Sequence, residues 1–427
     1  LYIYMPFNFC MQKNTVFNLL KRFKAKPGLG DPNPTTTFSS NFKTWYNRSK
    51  NPSPNFLKIR QAHLVQNLIE PSLIKKGLSY DIKTYRSDNG INTWRFTNKT
   101  NIQNNKDKKK LIETPLLLVH GYLTSSMHYY KNIPYLLENH KTVYMIDLPG
   151  HGATKYYSDL VYPETEPFRA LDFKIYNKGK NFKLEHQLDN RSYKAMFGEI
   201  RDTFFNEMVN DWMKQQHLKK INLVGHSYGG YFSFHYWLKN PDAVNKLILL
   251  SPLGVEKNIW SVNNIVLSKQ EYDIDKDPLS WTYLPDRKAP KFFLKHQWKL
   301  FMAMGPFGVK LLRNFFERRF RNDDKLFQKY CFENAYLQSD TNLELSTILF
   351  NTFFTNYMTS YDPILDYGDA LETRKNDIKI LYGQYDWMDK RCASEFKNHA
   401  IIPNAGHNLN LDNPEDTGKE IVSFLKN

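Results

Sequence analysis

Short apolar runs recur along most of the chain. Residues 116–119, 142–146, 221–224, 246–250 and 378–382 are each four or five residues long and predominantly apolar, with helical periodicities between several of them. Runs of this length without strict polar alternation suit strands buried on both faces, and their alternation with helical segments predicts a mostly parallel sheet with helices on both faces. Upstream, β-type residues over 83–97 surround Asn89-Gly90, a hairpin signal, and the basic loop 106–110 leads into the next strand. Beyond Gly254 the alternation stops for some hundred residues that are aromatic, basic and helical in pattern. The expected organisation is therefore an N-terminal tail over 1–69, an α/β core over 70–255, an inserted helical cap or lid over 256–360, and the rest of the core over 361–427.

Composition narrows this picture. The chain has 427 residues, 41% hydrophobic and 15% aromatic, enough for a large core. No stretch approaches the roughly 18 to 20 apolar residues of a membrane-spanning helix, so none is expected. Cys10, Cys331 and Cys392 are scattered, which gives neither a disulfide framework nor a zinc-ligand spacing and fits a reducing compartment. The net charge of +16 is concentrated at one end: residues 1–69 hold ten lysines and arginines against a single acid, Asp31. The stretch 14–26 mixes apolar and basic residues without an acid, the composition of a mitochondrial presequence, with a disordered basic tail as the alternative. The chain opens on Leu1, so the start is expected upstream or at Met5. Residues 31–56, rich in Pro, Asn, Ser and Thr, read as a linker.

The chemistry begins at Gly225-His226-Ser227-Tyr228-Gly229. A buried strand precedes this pentapeptide and a helical pattern over 231–238 follows it. That is the context in which a serine sits on a strained strand-to-helix turn and small neighbours permit the close approach. Ser227 is the expected nucleophile. The Tyr228 amide, at the helix N-terminus, is one expected oxyanion donor, and the Tyr122 amide after Val119-His120-Gly121 is the second, with an ordinary tight turn as the alternative for His120-Gly121. A serine needs a general base, and the base a carboxylate that fixes its tautomer, in the chain order Ser, acid, His for this fold. His407, in Pro403-Asn404-Ala405-Gly406-His407 before the C-terminal helix, is the expected base. His120, His151 and His226 adjoin turns where packing or hydrogen bonding accounts for them. Asp386, three residues past Gly383, is the preferred acid and Asp389 the alternative; a helix N-cap would account for either.

Further motifs point to one branch of the α/β-hydrolase superfamily. They are Leu118 to Tyr122, Asp147-Leu148-Pro149-Gly150-His151-Gly152, the elbow with Ser251-Pro252-Leu253-Gly254, Gly305-Pro306-Phe307-Gly308 in the cap, and Gly383 to Met388 with His407 to Asp412. Over roughly residues 80–427 the chain resembles the branch of the yeast mitochondrial cardiolipin-specific deacylase, the lysophosphatidic acid acyltransferases and the lipid-droplet lipase co-activator. The resemblance implies a serine-dependent phospholipid acyl hydrolase, with cardiolipin or another mitochondrial glycerophospholipid as substrate. An acyl-CoA-dependent lysophosphatidic acid acyltransferase and a non-catalytic lipase regulator are the alternatives. The co-activators lack the serine that this chain keeps. The resemblance also makes His407 and Asp412 a His-x4-Asp element associated with acyl transfer; alternatively, Asp412 supports the start of the helix at Pro414.

The cap suggests where the reaction occurs. Phe307, Leu311, Leu312, Phe315, Phe316 and Phe320 recur at helical spacing among Lys310, Arg313, Arg318 and Arg321, while Trp260, Trp281, Phe292, Phe293, Trp298 and Phe301 add aromatic bulk. A stripe of this kind packs a cap onto its core or rests on a membrane. With the basic charge it favours an anionic membrane surface and a phospholipid substrate, and no nucleic acid partner. The expected location is mitochondrial, peripheral on a membrane and on the inner membrane in particular, with the endoplasmic reticulum or lipid droplets as the alternative. No metal or organic cofactor is implied.

Overall fold

The computed structural model describes residues 37–48, 55–100, 110–155, 172–186, 190–266 and 270–426. The presequence-like stretch lies outside these. Helix α1 (Phe38–Arg48) is followed by α2 (Phe56–Leu64). A hairpin of β1 (Tyr80–Arg86) and β2 (Asn92–Asn98) turns at Asn89-Gly90, where Gly90 takes φ 89°. Then come β3 (Leu116–Val119), β4 (Thr142–Ile146), β5 (Asp172–Tyr176), β6 (Asn181–His186) and β7 (Ile221–His226), the last followed by α3 (Tyr228–Lys239). Strands β8 (Val244–Leu250) and β9 (Glu271–Asp273) precede four cap helices, α4 (Lys291–Ala303), α5 (Gly305–Arg319), α6 (Lys325–Tyr336) and α7 (Asp340–Phe353). Strands β10 (Ile378–Gly383) and β11 (Asn398–Ile402) and helix α8 (Pro414–Lys426) complete the core.

Eight strands form one sheet in the order β1-β2-β4-β3-β7-β8-β10-β11. From β4 to β11 every neighbour is parallel, and the β1–β2 hairpin joins antiparallel at the β4 edge. Each short apolar run splits its residues between two cores because successive side chains point to opposite faces. Leu117, Val119, Leu247, Leu249 and Ile380 pack on one side, and Leu116, Leu118, Ile248, Leu250 and Leu381 on the other. Each such side chain, fully buried, contributes about 1.5–3 kcal/mol. This double burial explains why the runs lack alternation.

Helix α3 has two glycines in its first turn and carries six Phe, Tyr and Trp residues, so its intrinsic propensity is poor. It forms because every residue from Tyr228 to Trp237 is buried, and a helix apolar all round is stable only when covered on all sides. That burial fixes the start of the helix beneath the cap.

Three features depart from expectation. The segment 31–56, read as a linker, contains α1, which docks on the cap: Trp45 Nε1 donates to the Met302 carbonyl at 3.3 Å and Arg48 Nε to the Tyr336 carbonyl at 2.7 Å. Its polar composition conceals an i, i+4 spacing of Phe38, Phe42 and Tyr46. A second sheet, β5-β6-β9, lies outside the main one and has its own small core around Phe182, Ile259 and Trp260. Finally, the apolar stripe of α5 divides. Leu312, Phe316 and the following Phe320 are buried, whereas Phe307, Leu311 and Phe315 are exposed.

Candidate active site

The strand-to-helix turn holds Ser227 at φ 52° and ψ −116°. For a residue with a Cβ this conformation costs on the order of 1–3 kcal/mol, so the surroundings must enforce it. They do so through main-chain bonds on both sides: Ser227 N–H donates to the Leu250 carbonyl at 2.9 Å, and its own carbonyl accepts from Leu253 N–H at 3.0 Å. The flanking glycines follow from close packing. A Cβ at Gly225 would lie 2.5 Å from Ser233 Oγ, and one at Gly229 would lie 2.3 Å from the His120 carbonyl oxygen.

His407 reaches this serine from the loop after β11. Its Nε2 is 2.9 Å from Ser227 Oγ and its Nδ1 is 3.1 Å from Asp386 Oδ1. The two loops are fastened together: Gln384 N–H donates to the Ile402 carbonyl at 2.9 Å and Tyr385 N–H to the Ala405 carbonyl at 2.8 Å. Gly383 permits this, since a Cβ there would lie 2.1 Å from the Gly406 carbonyl oxygen. Asp386 is buried, which by itself raises its carboxyl. The hydrogen bond and charge of His407, with the Ser251 hydroxyl and the Met388 amide, outweigh that and hold the acid below its ordinary range. With Nδ1–H directed at this carboxylate, Nε2 is left as the acceptor facing the serine hydroxyl.

Asp389 is engaged elsewhere. It caps the turn Lys390–Glu395 through the Arg391 amide at 3.2 Å and pairs with the Arg391 guanidinium at 2.6 Å. Asp412 is exposed, and its Oδ2 accepts from Gly406 N–H at 2.9 Å. It thus holds the main chain immediately before His407.

Both expected oxyanion donors border the serine. Tyr228 N–H belongs to the first turn of α3, where no carbonyl four residues back is available to it. Tyr122 follows Gly121, whose Cβ position lies only 3.2 Å from Ser227 Cβ. The Tyr122 ring packs on Phe350, 4.4 Å between centroids, and its hydroxyl accepts from Gln297 Nε2 of α4 at 3.1 Å, tying the cap to the site. Burial, partly offset by the hydroxyls of Thr347 and Ser346 and by Gln297, pushes this phenol up to about 12.

The surrounding histidines are structural. His120 Nδ1–H donates to the Gly121 carbonyl at 2.7 Å while its Nε2 accepts from Leu148 N–H at 2.9 Å, which requires a neutral ring. His226 is lowered to about 3, chiefly by burial and then by the charge of His407, and its Nε2–H donates to the His407 carbonyl at 2.8 Å. Burial lowers His151 to about 3 as well. Asp147 accepts from Gln61, Asn92, Ser126 and Ala153 at 2.7–2.9 Å, tying α2 and β2 to the loop that carries Gly152. Trp387, part of the Gly383–Met388 motif to which the sequence gives no separate role, stands with its ring 5.0 Å from that of His407. Among the described residues no group of three His, Cys, Asp or Glu could hold a metal ion.

An acid, an imidazole and a hydroxyl in line, beside two main-chain amides, can generate an alkoxide-like nucleophile and receive an oxyanion. A model of the alpha/beta hydrolase fold matches residues 114–414. The chain belongs to the α/β-hydrolase fold family. This α/β hydrolase is 35% identical over 401 residues to Protein ECM18 of Saccharomyces cerevisiae, covering 90% of this chain and 84% of that one. It is 33% identical over 349 residues to the same yeast's 1-acylglycerol-3-phosphate O-acyltransferase ICT1, covering 79% of this chain and 86% of that one. These relatives agree with the branch to which the motifs pointed. Among solved structures, 2-hydroxy-6-oxo-6-phenylhexa-2,4-dienoate hydrolase from Rhodococcus sp. strain RHA1 superposes with a TM-score of 0.51 at 14% identity, covering 82% of this chain and all of that one, a likeness of fold alone.

Proposed function

We propose that this α/β hydrolase is a serine-dependent phospholipid acyl-ester hydrolase. The observation that carries the reading is the alignment of Ser227, His407 and Asp386, at 2.9 and 3.1 Å. His407 Nε2 takes the Ser227 proton as Oγ attacks the ester carbonyl, while the Tyr122 and Tyr228 amides receive the developing oxyanion. Collapse of the tetrahedral adduct breaks the bond to the lysolipid oxygen, which leaves with the proton from His407. Water, activated by the same imidazole, then releases the fatty acid. Cardiolipin or another mitochondrial glycerophospholipid is the proposed substrate and an anionic, mitochondrial membrane surface the proposed setting. The branch resemblance and the basic stretch 14–26 support this substrate and setting.

A second reading, transfer of the acyl group from acyl-CoA to lysophosphatidic acid, is favoured by the name carried by the ICT1 relative. The two differ in the acyl donor, a phospholipid ester or acyl-CoA, and in whether water or a lysolipid hydroxyl relieves the acyl-enzyme. Purified protein incubated with labelled cardiolipin, with and without acyl-CoA and lysophosphatidic acid, separates them. Free fatty acid without acyl-CoA supports hydrolysis, acyl-CoA-dependent lipid formation supports transfer, and neither product overturns both.

A further inference from the structure

The exposed half of the α5 stripe continues across a helix that the sequence had concealed. Phe307, Leu311 and Phe315 are 65%, 49% and 46% exposed and stand at i, i+4 and i+8 on one face of α5. On α1, Phe38 and Phe42 are 64% and 46% exposed at i and i+4. The two rows meet: the Phe38 and Phe307 rings are 6.1 Å apart, and Phe38 and Phe42 are 6.5 Å apart. Large side chains left in water in a contiguous group mark a surface that something covers. The opposite faces of both helices are already occupied, α5 burying Val309, Leu312 and Phe316 and α1 docking Trp45 beneath Met302.

Charge identifies the occupant. Helices α1, α4 and α5 together carry nine lysines and arginines, of which Arg48 is paired with Asp340, and a single acid, Glu317, an excess that suits an anionic partner. Lys310 and Arg318 stand one turn from Phe307 and Phe315, and Lys43 one residue from Phe42, all three exposed. Aromatic side chains ringed by cations with almost no carboxylate are the arrangement that seats on a phospholipid headgroup layer. The same helices lead to the chemistry. Gln297 of α4 donates to Tyr122, and Phe320, just past α5, packs on His128, whose ring stacks 5.0 Å from that of His226 beside the nucleophile.

We propose that the joined outer faces of α1 and α5 are a docking surface for an anionic phospholipid bilayer, an inference that rests on the lipid-acting reading above. Sedimentation with phosphatidylcholine vesicles, with and without about 20 mol% cardiolipin, tests it on the full chain. The combined variant Phe38→Ser, Phe42→Ser, Phe307→Ser is expected to need about tenfold or more lipid for half-binding, while hydrolysing a soluble short-chain ester at the wild-type rate. Lys43→Glu with Lys310→Glu should weaken binding to the cardiolipin vesicles by about tenfold and leave the pure phosphatidylcholine vesicles unaffected. Ser227→Ala should bind vesicles normally with no turnover, so a failure of docking and a failure of the serine chemistry give different patterns. The proposal is overturned if the triple variant binds as wild type, if charge reversal leaves binding unchanged, or if wild-type protein without lipid is a dimer that the triple variant dissociates.

Discussion

Replacing Asp386 by Asn probes the tautomer of His407. The substitution is nearly isosteric, but an amide offers a donor where the carboxylate accepted from Nδ1–H at 3.1 Å. His407 then gains by carrying its proton on Nε2, pointing it at Ser227 Oγ, and the base can no longer accept. Loss of the correct tautomer with intact geometry costs about 10⁴-fold in kcat in serine enzymes of this design, and a loss of 10³ to 10⁴ is expected here. Stability should change far less. The lost charge-assisted bond is worth roughly 1.5–3 kcal/mol, partly regained by the amide's own contacts. Because the Asp386 carboxyl is held below its ordinary value, its stabilisation is complete above the unfolded carboxylate range and disappears as pH falls through the lowered value. The variant should lack that component of acid sensitivity. Asp389→Asn is the matched control: Arg391, its partner, is 58% exposed, so the pair contributes about 0–1 kcal/mol and activity should stay within about threefold. The assay is kcat on a soluble p-nitrophenyl ester beside a urea titration of each variant. An inactive Asp389→Asn with an Asp386→Asn within tenfold of wild type would instead make Asp389 the partner of His407.

Gly229→Ala opposes helix propensity to packing: propensity favours alanine by about 1 kcal/mol, but the new Cβ would stand 2.3 Å from the His120 carbonyl oxygen. The clash should dominate, with a net loss of about 2 kcal/mol or more by urea titration and a collapse of ester hydrolysis; a stabilised, active variant would contradict the packing. Asp412→Ala should lower kcat for hydrolysis and transfer by the same factor, roughly tenfold, while Asp412→Asn, which keeps an oxygen for Gly406 N–H, should recover most of it; loss of transfer alone would instead give Asp412 a chemical part. Among the described residues six buried histidines have lowered values, His120 and His128 together with His140, at about 4, and His151, His226 and His235, at about 3, so unfolding takes up protons below the ordinary histidine range. Stability should therefore fall as pH drops from about 6.5, each histidine adding up to about 1.4 kcal/mol per pH unit. Melting temperatures that stay flat between pH 6.5 and about 5 would refute this.

The sheet and the elbow were legible because local sequence and burial agree there. Five apolar runs became five strands, and the residues beside Ser227 are small for reasons the close contacts at Gly225 and Gly229 make explicit. What escaped reading is where composition and pattern conflict. Helix α1 lies in a polar, Pro-rich stretch, and its stability comes from contacts with α4 and α6 that only folding creates. The α5 stripe read as a single face, yet a helix clamped between a core and an outer surface can be apolar on two sides, and spacing alone does not divide them. Near the site, Asp386 and Asp389 lie within one turn of each other, so only the path of the β10 loop separates the aspartate that meets His407 from the one that meets Arg391. His226 as an anchor of the His407 main chain, and Gln61 as a donor to Asp147, depend on contacts between residues distant in sequence.

In the proposed reaction Ser227 carries the acyl group. Rapid acid quenching of the protein during turnover of a labelled acyl ester, followed by peptide mass mapping, tests this most directly. An acyl adduct is expected on the peptide containing Ser227, absent in Ser227→Ala together with turnover. An adduct on another residue, or undiminished turnover in Ser227→Ala, would contradict it.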